Sequence, residues 1–232
     1  WSRESDSLWG IWKDESKADT VRLEAIQEIA GSIYLRTNPD TAFYFAQIQL
    51  DFARKKSLYK YQASALEIQC LSKRHQGDPT SALNYANQSL KINDKIGNKS
   101  GTATTLYAIG GIYHDQENFD KASFYYNKSL EISREISDKY AIAKCLNAIG
   151  YLHDDHGQYE KAIEYHEECL ILRTELRDRV GLSWSYNNLA RVYYHQKKYE
   201  KAVSLYKKSI SIKTKLREFT LSETQGNLGM TY

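Results

Sequence analysis

His153-Asp154-Asp155-His156 sets four possible metal ligands in a row. Imidazole and carboxylate together make a donor set suited to zinc or a related divalent ion. On a helix, however, consecutive side chains point around the axis, and a shared ion needs ligands three or four residues apart or help from another segment. His114, Asp115 and His195 recur at equivalent places in neighbouring stretches. A site at the edge of several segments therefore stays open beside the alternative of a solvated helix end, and no metal or other cofactor is assigned. Cys70, Cys145 and Cys169 show no CxxC pairing. Cys169 aligns with Ser89, Ser129 and Ser209, and Cys70 with small residues, so these thiols read as small core side chains. No Ser-His-Asp order, phosphate loop, dinucleotide fingerprint or HExxH is present, and Gly110-Gly111 reads as a packing pair within a helix. No catalytic residue is expected.

A different chemistry is offered by Asn147 and Asn187, which lie 40 residues apart in one column of the sequence. A side-chain amide both donates and accepts, so a ladder of amides suits the backbone of an extended peptide whatever its side chains. Such a ladder needs a scaffold that repeats with the same period.

That scaffold is legible. Ala42, Ala82, Ala122, Ala162 and Ala202 fall 40 residues apart, and a fixed period of this size marks a stacked repeat array. A small column reads Ala30, Cys70, Gly110, Gly150, Ala190 and then, one residue early, Gly229. Bulky columns run through Ile26, Leu66, Leu106, Leu146 and Tyr186, and through Leu50, Leu90, Leu130, Leu170 and Ile210. Apolar residues recur at intervals of three and four within each unit, which is helical spacing. Each unit is predicted to hold two amphipathic helices, A and B, with the small residues allowing A and B to approach closely. Turns are predicted at Asn38-Pro39, Gly77-Asp78-Pro79, Glu117-Asn118-Phe119, Gly157-Gln158-Tyr159 and Lys197-Lys198-Tyr199. Pro39 and Pro79, the only prolines, stand at the first position of helix B behind an Asn or Asp cap, where a missing N–H costs nothing.

The expected organisation is a capping segment over residues 1–17 and an array over 18–232 of five repeats plus the first helix of a sixth. Asp6-Ser7-Leu8-Trp9-Gly10-Ile11-Trp12 reads as a short helix whose tryptophans cover the first repeat or form an aromatic docking patch. Thr220–Tyr232 reads as a helix A lacking its partner, so more chain is expected beyond Tyr232. Net charge is +3, from 32 basic and 29 acidic residues, without the basic stripe of a nucleic-acid binder. No apolar run approaches a membrane span.

Leu146-Asn147-Ala148-Ile149-Gly150-Tyr151, followed by Gly157, Tyr159, Ala162 and Tyr165, resembles a tetratricopeptide repeat. The likeness covers about residues 18–232, although the usual unit has about 34 residues, and units of 40 are similar to those of LGN-like scaffolds and bacterial Rap-type regulators. The resemblance implies an all-α fold, a right-handed superhelix (α-solenoid) of paired antiparallel helices. It also implies that residues one and five places after the bulky column of helix A face a concave groove. Tyr107, Lys144, Asn147, Tyr151, Trp184, Asn187, Arg191 and Tyr194 are then the candidate peptide-binding residues: amides for the backbone, Arg191 as a fork for a carboxylate, aromatics as anchors. Asn188 stands one place later, facing a neighbouring helix. Lys144, Asn147, Asn187 and Arg191 supply part of a chaperone-type carboxylate clamp. The phrasing of residues 6–12, of Asp19-Thr20-Val21-Arg22-Leu23 and of Pro39-Asp40-Thr41-Ala42-Phe43-Tyr44-Phe45-Ala46 resembles the repeat regions ahead of bacterial class III adenylate/guanylate cyclases. That resemblance implies a regulatory region, periplasmic or membrane-proximal, with the cyclase chemistry outside these residues. The expected partner is a protein or peptide. The alternatives are an oligomerisation or spacer element acting through the array ends, and a small-ligand sensor.

Overall fold

The computed structural model describes residues 3–216, so the expected sixth helix A lies outside the described residues. The described elements are α1 (Arg3–Lys13), α2 (Asp19–Glu28) continuing as a π-helical stretch Ile29–Tyr34, α3 (Pro39–Lys55), α4 (Tyr59–His75), α5 (Pro79–Lys95), α6 (Lys99–Asp115), α7 (Phe119–Glu135), α8 (Lys139–Asp155), α9 (Tyr159–Glu175), α10 (Arg179–His195) and α11 (Tyr199–Leu216). The fold is all-α, an α-solenoid of helices packed in consecutive antiparallel pairs. It divides into two compact units, Trp1–Ile132 and Ser133–Tyr232.

Each 40-residue repeat proves to be two 20-residue halves. From α4 to α10 every helix has 17 residues, and the three residues between neighbours form one kind of turn. Its middle residue has a positive φ at Ser57, Gly77, Gly97, Glu117, Ser137, Gly157, Arg177 and Lys197. The turn closes on the helix it ends: Asp78 N–H reaches Lys73 C=O at 2.9 Å and Gly77 N–H reaches Arg74 C=O at 3.0 Å. This is the Schellman arrangement, which satisfies the last carbonyls of a helix. The third turn residue caps the next helix. Asn38, Asp78, Asn98, Asn118, Asp138 and Asp178 each accept from the N–H three residues on, at 2.8–3.2 Å. Pro39 and Pro79 occupy the first position of α3 and α5 as expected.

A hydroxyl ties each of the B helices α5, α7 and α11 to the A helix before it. Ser89 Oγ donates to Ala63 C=O at 3.0 Å, Ser129 to Ala103 at 2.7 Å and Ser209 to Ser183 at 2.8 Å, and the Cys169 thiol takes the same place on Ala143 at 3.2 Å. Burial holds the Cys169 thiol above its ordinary range and pushes Cys70 up to about 12, so both remain thiols.

The small columns of A and B share core clusters, Ala30 with Ala42, Cys70 with Ala82 and Ala190 with Ala202, and the glycines of the A column also admit a ring. The side chain filling the space at Gly110 is Tyr126, and that at Gly150 is His166. Both stand four residues after the periodic alanine, so a bulky ring in B sits against a bare backbone in A. In the first unit, α1 lies over the first repeat: Trp12 is buried, edge-on to Phe52 at 5.1 Å, and Trp9 is edge-on to Phe45 at 5.5 Å. Arg22 Nε donates to the Trp12 carbonyl at 2.9 Å and lies over the Trp12 and Phe52 rings.

Candidate peptide-binding face

Seven of the eight candidate residues lie in the second unit, on the A helices α8 and α10; Tyr107 lies in the first, its ring 5.2 Å from that of Tyr126. The face is built from successive turns. On α8, Lys144, Asn147, Tyr151 and Asp154 follow one another at intervals of three or four residues, and on α10 so do Trp184, Asn187, Arg191 and Tyr194. That spacing brings each set onto one side of its helix.

At the floor, Asp154 has a fully buried side chain. Its Oδ2 lies 2.8 Å from Arg191 Nη2, and its Oδ1 lies 2.9 Å from His195 Nδ1. A carboxylate taken out of water needs such partners, because an unpaired buried charge costs several kcal/mol, on the order of 3–5. The Arg191 guanidinium also lies over Tyr151, 3.6 Å from the ring centroid, and 3.8 Å from Asp155 Oδ1. Arg191 is therefore already engaged, and a ligand carboxylate would have to share it with Asp154. Arg191 Nε and Nη2 still make no aligned hydrogen bond among the described residues.

Above the floor, the amides are ordered. Asn188 Nδ2 donates to Asn147 Oδ1 at 2.7 Å, so Asn188 faces the neighbouring helix while Asn187 shares the column of Asn147. Asn187 Oδ1 is buried without a hydrogen-bond partner among the described residues. Lys144 and Trp184 are exposed at the outer end of the face. Tyr194 packs beside Tyr199, ring centroids 5.6 Å apart.

Behind the face, His166 is fully buried on α9 and neither ring nitrogen has a hydrogen-bond partner among the described residues. Desolvation foremost, then the nearby charges of Arg191 and Arg173, lower its pKa to about 3. The imidazole is neutral at physiological pH. Arg173, also buried, donates from Nη1 to the Gly181 carbonyl and to Ser185 Oγ. Tyr206, over Ala190, is pushed up to about 12 by burial.

The four candidate metal ligands disperse. His153 stacks on Tyr165 and bonds Gln158 at 2.8 Å, His156 bonds the Leu152 carbonyl at 2.8 Å, and Asp154 belongs to Arg191 and His195. Among the described residues no group of three or more His, Cys, Asp or Glu could hold an ion. The sequence does not mark Asp154 as a partner of Arg191, nor His166 as the ring behind the face. A spacing of 41 on successive A helices relates Asp154 to His195, as it relates Asn147 to Asn188, whereas Arg191 lies 37 residues after Asp154.

A family model described as Tetratricopeptide repeat matches residues 61–135, 125–175 and 141–215, which covers most of the chain. The chain belongs to the tetratricopeptide repeat family. The repeat scaffold is a non-catalytic, protein-interaction module. Among solved structures, BtubC (BKLC) from P. vanneervenii is similar with a TM-score of 0.74 at 20% identity, over 94% of this chain and 92% of that one. A Rap protein complexed with competence and sporulation factor is similar with a TM-score of 0.68 at 14% identity, over 99% of this chain and 73% of that one. The nearly identical TPR-like repeats of a kinesin light chain from Podosopora anserina match with a TM-score of 0.61 at 16% identity, over 85% of this chain and 97% of that one. At such identities the likeness shows the fold. No match was found among curated protein sequences. No described helix is long and apolar enough to cross a membrane.

Proposed function

We propose that the α8/α10 face of this tetratricopeptide repeat protein binds an extended peptide segment of a protein partner. One observation carries the reading. Asn147 and Asn187 repeat at one column on successive A helices, half-buried, and are flanked at the outer end by Lys144 and Trp184 and at the inner end by the Arg191–Tyr151 stack. Amides in series suit a main chain, and a half-exposed tryptophan is the type of side chain that anchors interfaces. The Rap relative complexed with competence and sporulation factor supports the choice of class. On the cyclase resemblance, the face would regulate an attached nucleotidyl cyclase from a membrane-proximal position.

The test is selection of a displayed random-peptide library on the chain and on an Asn147→Ala/Asn187→Ala variant shown by circular dichroism to keep its helices. Peptides enriched by the parent and lost by the variant support the reading. Equal enrichment on both moves binding away from this face. Self-association of the chain with no enriched peptide favours the oligomerisation alternative.

A further inference from the structure

The hydrogen-bonding polarity of this face is fixed by a residue outside the expected set. Asn188 follows Asn187 by one position, about 100° round the helix, and its amide nitrogen donates to Asn147 Oδ1 at 2.7 Å. A carboxamide has its acceptor and its donors at opposite corners of one plane. With the oxygen held by Asn188, the nitrogen of Asn147 is the end left for a ligand. The Asn187 oxygen is also the enclosed atom, without a hydrogen-bond partner among the described residues. Both amides thus present N–H groups. Lys144, exposed one turn before Asn147, adds a cation. The carboxylates of Asp154 and Asp155 are engaged at the inner end of the face: Asp154 is fully buried between Arg191 and His195, and Asp155 lies 3.8 Å from Arg191.

We propose that Asn188 is a positioning residue which turns the donor end of Asn147 outward, so that the face takes an acceptor-rich, acidic extended peptide. The assignment rests on the peptide-binding reading above and adds its chemistry: the ligand's main-chain carbonyls meet Asn147 and Asn187, and its carboxylates meet Lys144. A basic segment meets carboxylates already beside Arg191, those of Asp154 and Asp155.

Asn188→Asp tests it, because aspartate only accepts. The contact with Asn147 then survives only if Asn147 turns its nitrogen inward and shows its oxygen. Two readouts are taken on the full chain after circular dichroism confirms the fold. The first is the Asn147 side-chain NH2 pair in a ¹⁵N-correlated spectrum, assigned by its loss in Asn147→Asp. Its exchange with water is expected to be fast in the parent and clearly slowed in Asn188→Asp. The second is fluorescence polarisation with two labelled peptides of Gly-Ser backbone, one carrying Glu and one Lys at the same positions. The parent is expected to prefer the Glu peptide by about tenfold or more, and Asn188→Asp to lose that preference. Unchanged Asn147 exchange overturns the positioning role. Equal affinity of the parent for the two peptides overturns the acidic-ligand assignment. If Asn147 inverts while neither peptide binds the parent, the positioning role stands and the acidic ligand falls together with the peptide-binding reading.

Discussion

Arg74 grips the Asp115 carboxylate with two hydrogen bonds, Nε to Oδ2 at 2.6 Å and Nη2 to Oδ1 at 2.9 Å, from 41 residues away. This bidentate pair joins the A helices of successive repeats, α4 and α6. The second unit joins α8 and α10 at the same columns with the charges exchanged: Asp154 takes the place of Arg74, and His195 that of Asp115. The guanidinium there comes from Arg191, four residues before His195, where the first unit has Gly111. Each seam thus holds one guanidinium and one carboxylate, supplied from opposite sides. The bare backbone at Gly111 is what lets Arg74 lie across its neighbour.

Gly111→Ala is therefore expected to displace the Arg74 guanidinium, the far end of a flexible side chain, which a β-carbon there would overlap. Loosening an ion pair whose carboxylate is half-exposed costs about 0.2–1 kcal/mol, which offsets most of the roughly 1 kcal/mol gained by replacing a helical glycine with alanine. Little net change is expected in urea unfolding. In an Arg74→Ala background the obstacle is gone, and the same substitution should stabilise by about 1 kcal/mol. A double-mutant cycle without this gain in the second background would remove the Arg74–Gly111 contact from the account.

The 20-residue rhythm of the turns yields a second expectation. Ser57, Glu117, Ser137, Arg177 and Lys197 hold φ values of 53–60°, a region that costs a side-chain-bearing residue roughly 1 kcal/mol. Glycine adopts it freely, at some cost in unfolded-state entropy. Glu117→Gly and Lys197→Gly should each raise stability by about 0.5–1 kcal/mol, and Gly77→Ala and Gly157→Ala should lower it by a similar amount. Thermal unfolding of the four variants checks the signs together.

Where the sequence was readable depended on whether one residue type could do a job. Close packing admits only small side chains at Ala42, Ala82, Ala122, Ala162 and Ala202, so the 40-residue period and the helix pairs were plain. The 20-residue period stayed hidden because the left-handed turn position is glycine at only three of its eight sites, and because Leu58, Gln158 and Lys198 interrupt the capping column. His166 is hidden for a similar reason: its column reads Ala46, Ala86, Tyr126, His166, Tyr206, and its size is set by the residue opposite. Asp154 looked like one of a run of ligands, since its partners Arg191 and His195 lie on another helix. Asn147, Asn187 and Arg191 were found from their columns, but which end of each amide faces outward depends on Asn188 and on burial.

Cys169 stands where other repeats use serine, and its thiol is a weaker donor to the Ala143 carbonyl than the hydroxyls of Ser89, Ser129 and Ser209 to theirs. Cys169→Ser should be tolerated within about 1 kcal/mol, the hydrogen bond strengthening as some apolar contact is lost. Cys169→Val removes the donor and should cost about 1–3 kcal/mol, leaving a buried carbonyl short of a partner. Chemical denaturation of the two variants separates a hydrogen-bonding role from mere filling of space.

His166 makes stability depend on acid. Its folded pKa of about 3 lies below the ordinary 6.5, so between those values the unfolded chain binds the extra proton. Stability contributed by the neutral imidazole is complete above about pH 6.5 and falls as the pH drops toward 3, at up to about 1.4 kcal/mol per pH unit. Tyrosine occupies the equivalent place at Tyr126 against Gly110 and at Tyr206 beside Ala190, so His166→Tyr offers a side chain of proven fit that does not charge in acid. The parent and His166→Tyr should therefore diverge as the pH falls from 7 to 5, with the variant losing less stability over that interval. Carboxylates such as Asp14 and Asp78, whose hydrogen bonds hold them below their ordinary value, titrate lower and affect both proteins alike. Parallel stability curves across pH 7 to 5 would mean that the His166 imidazole is hydrated or rearranged in solution, and not sealed against Gly150.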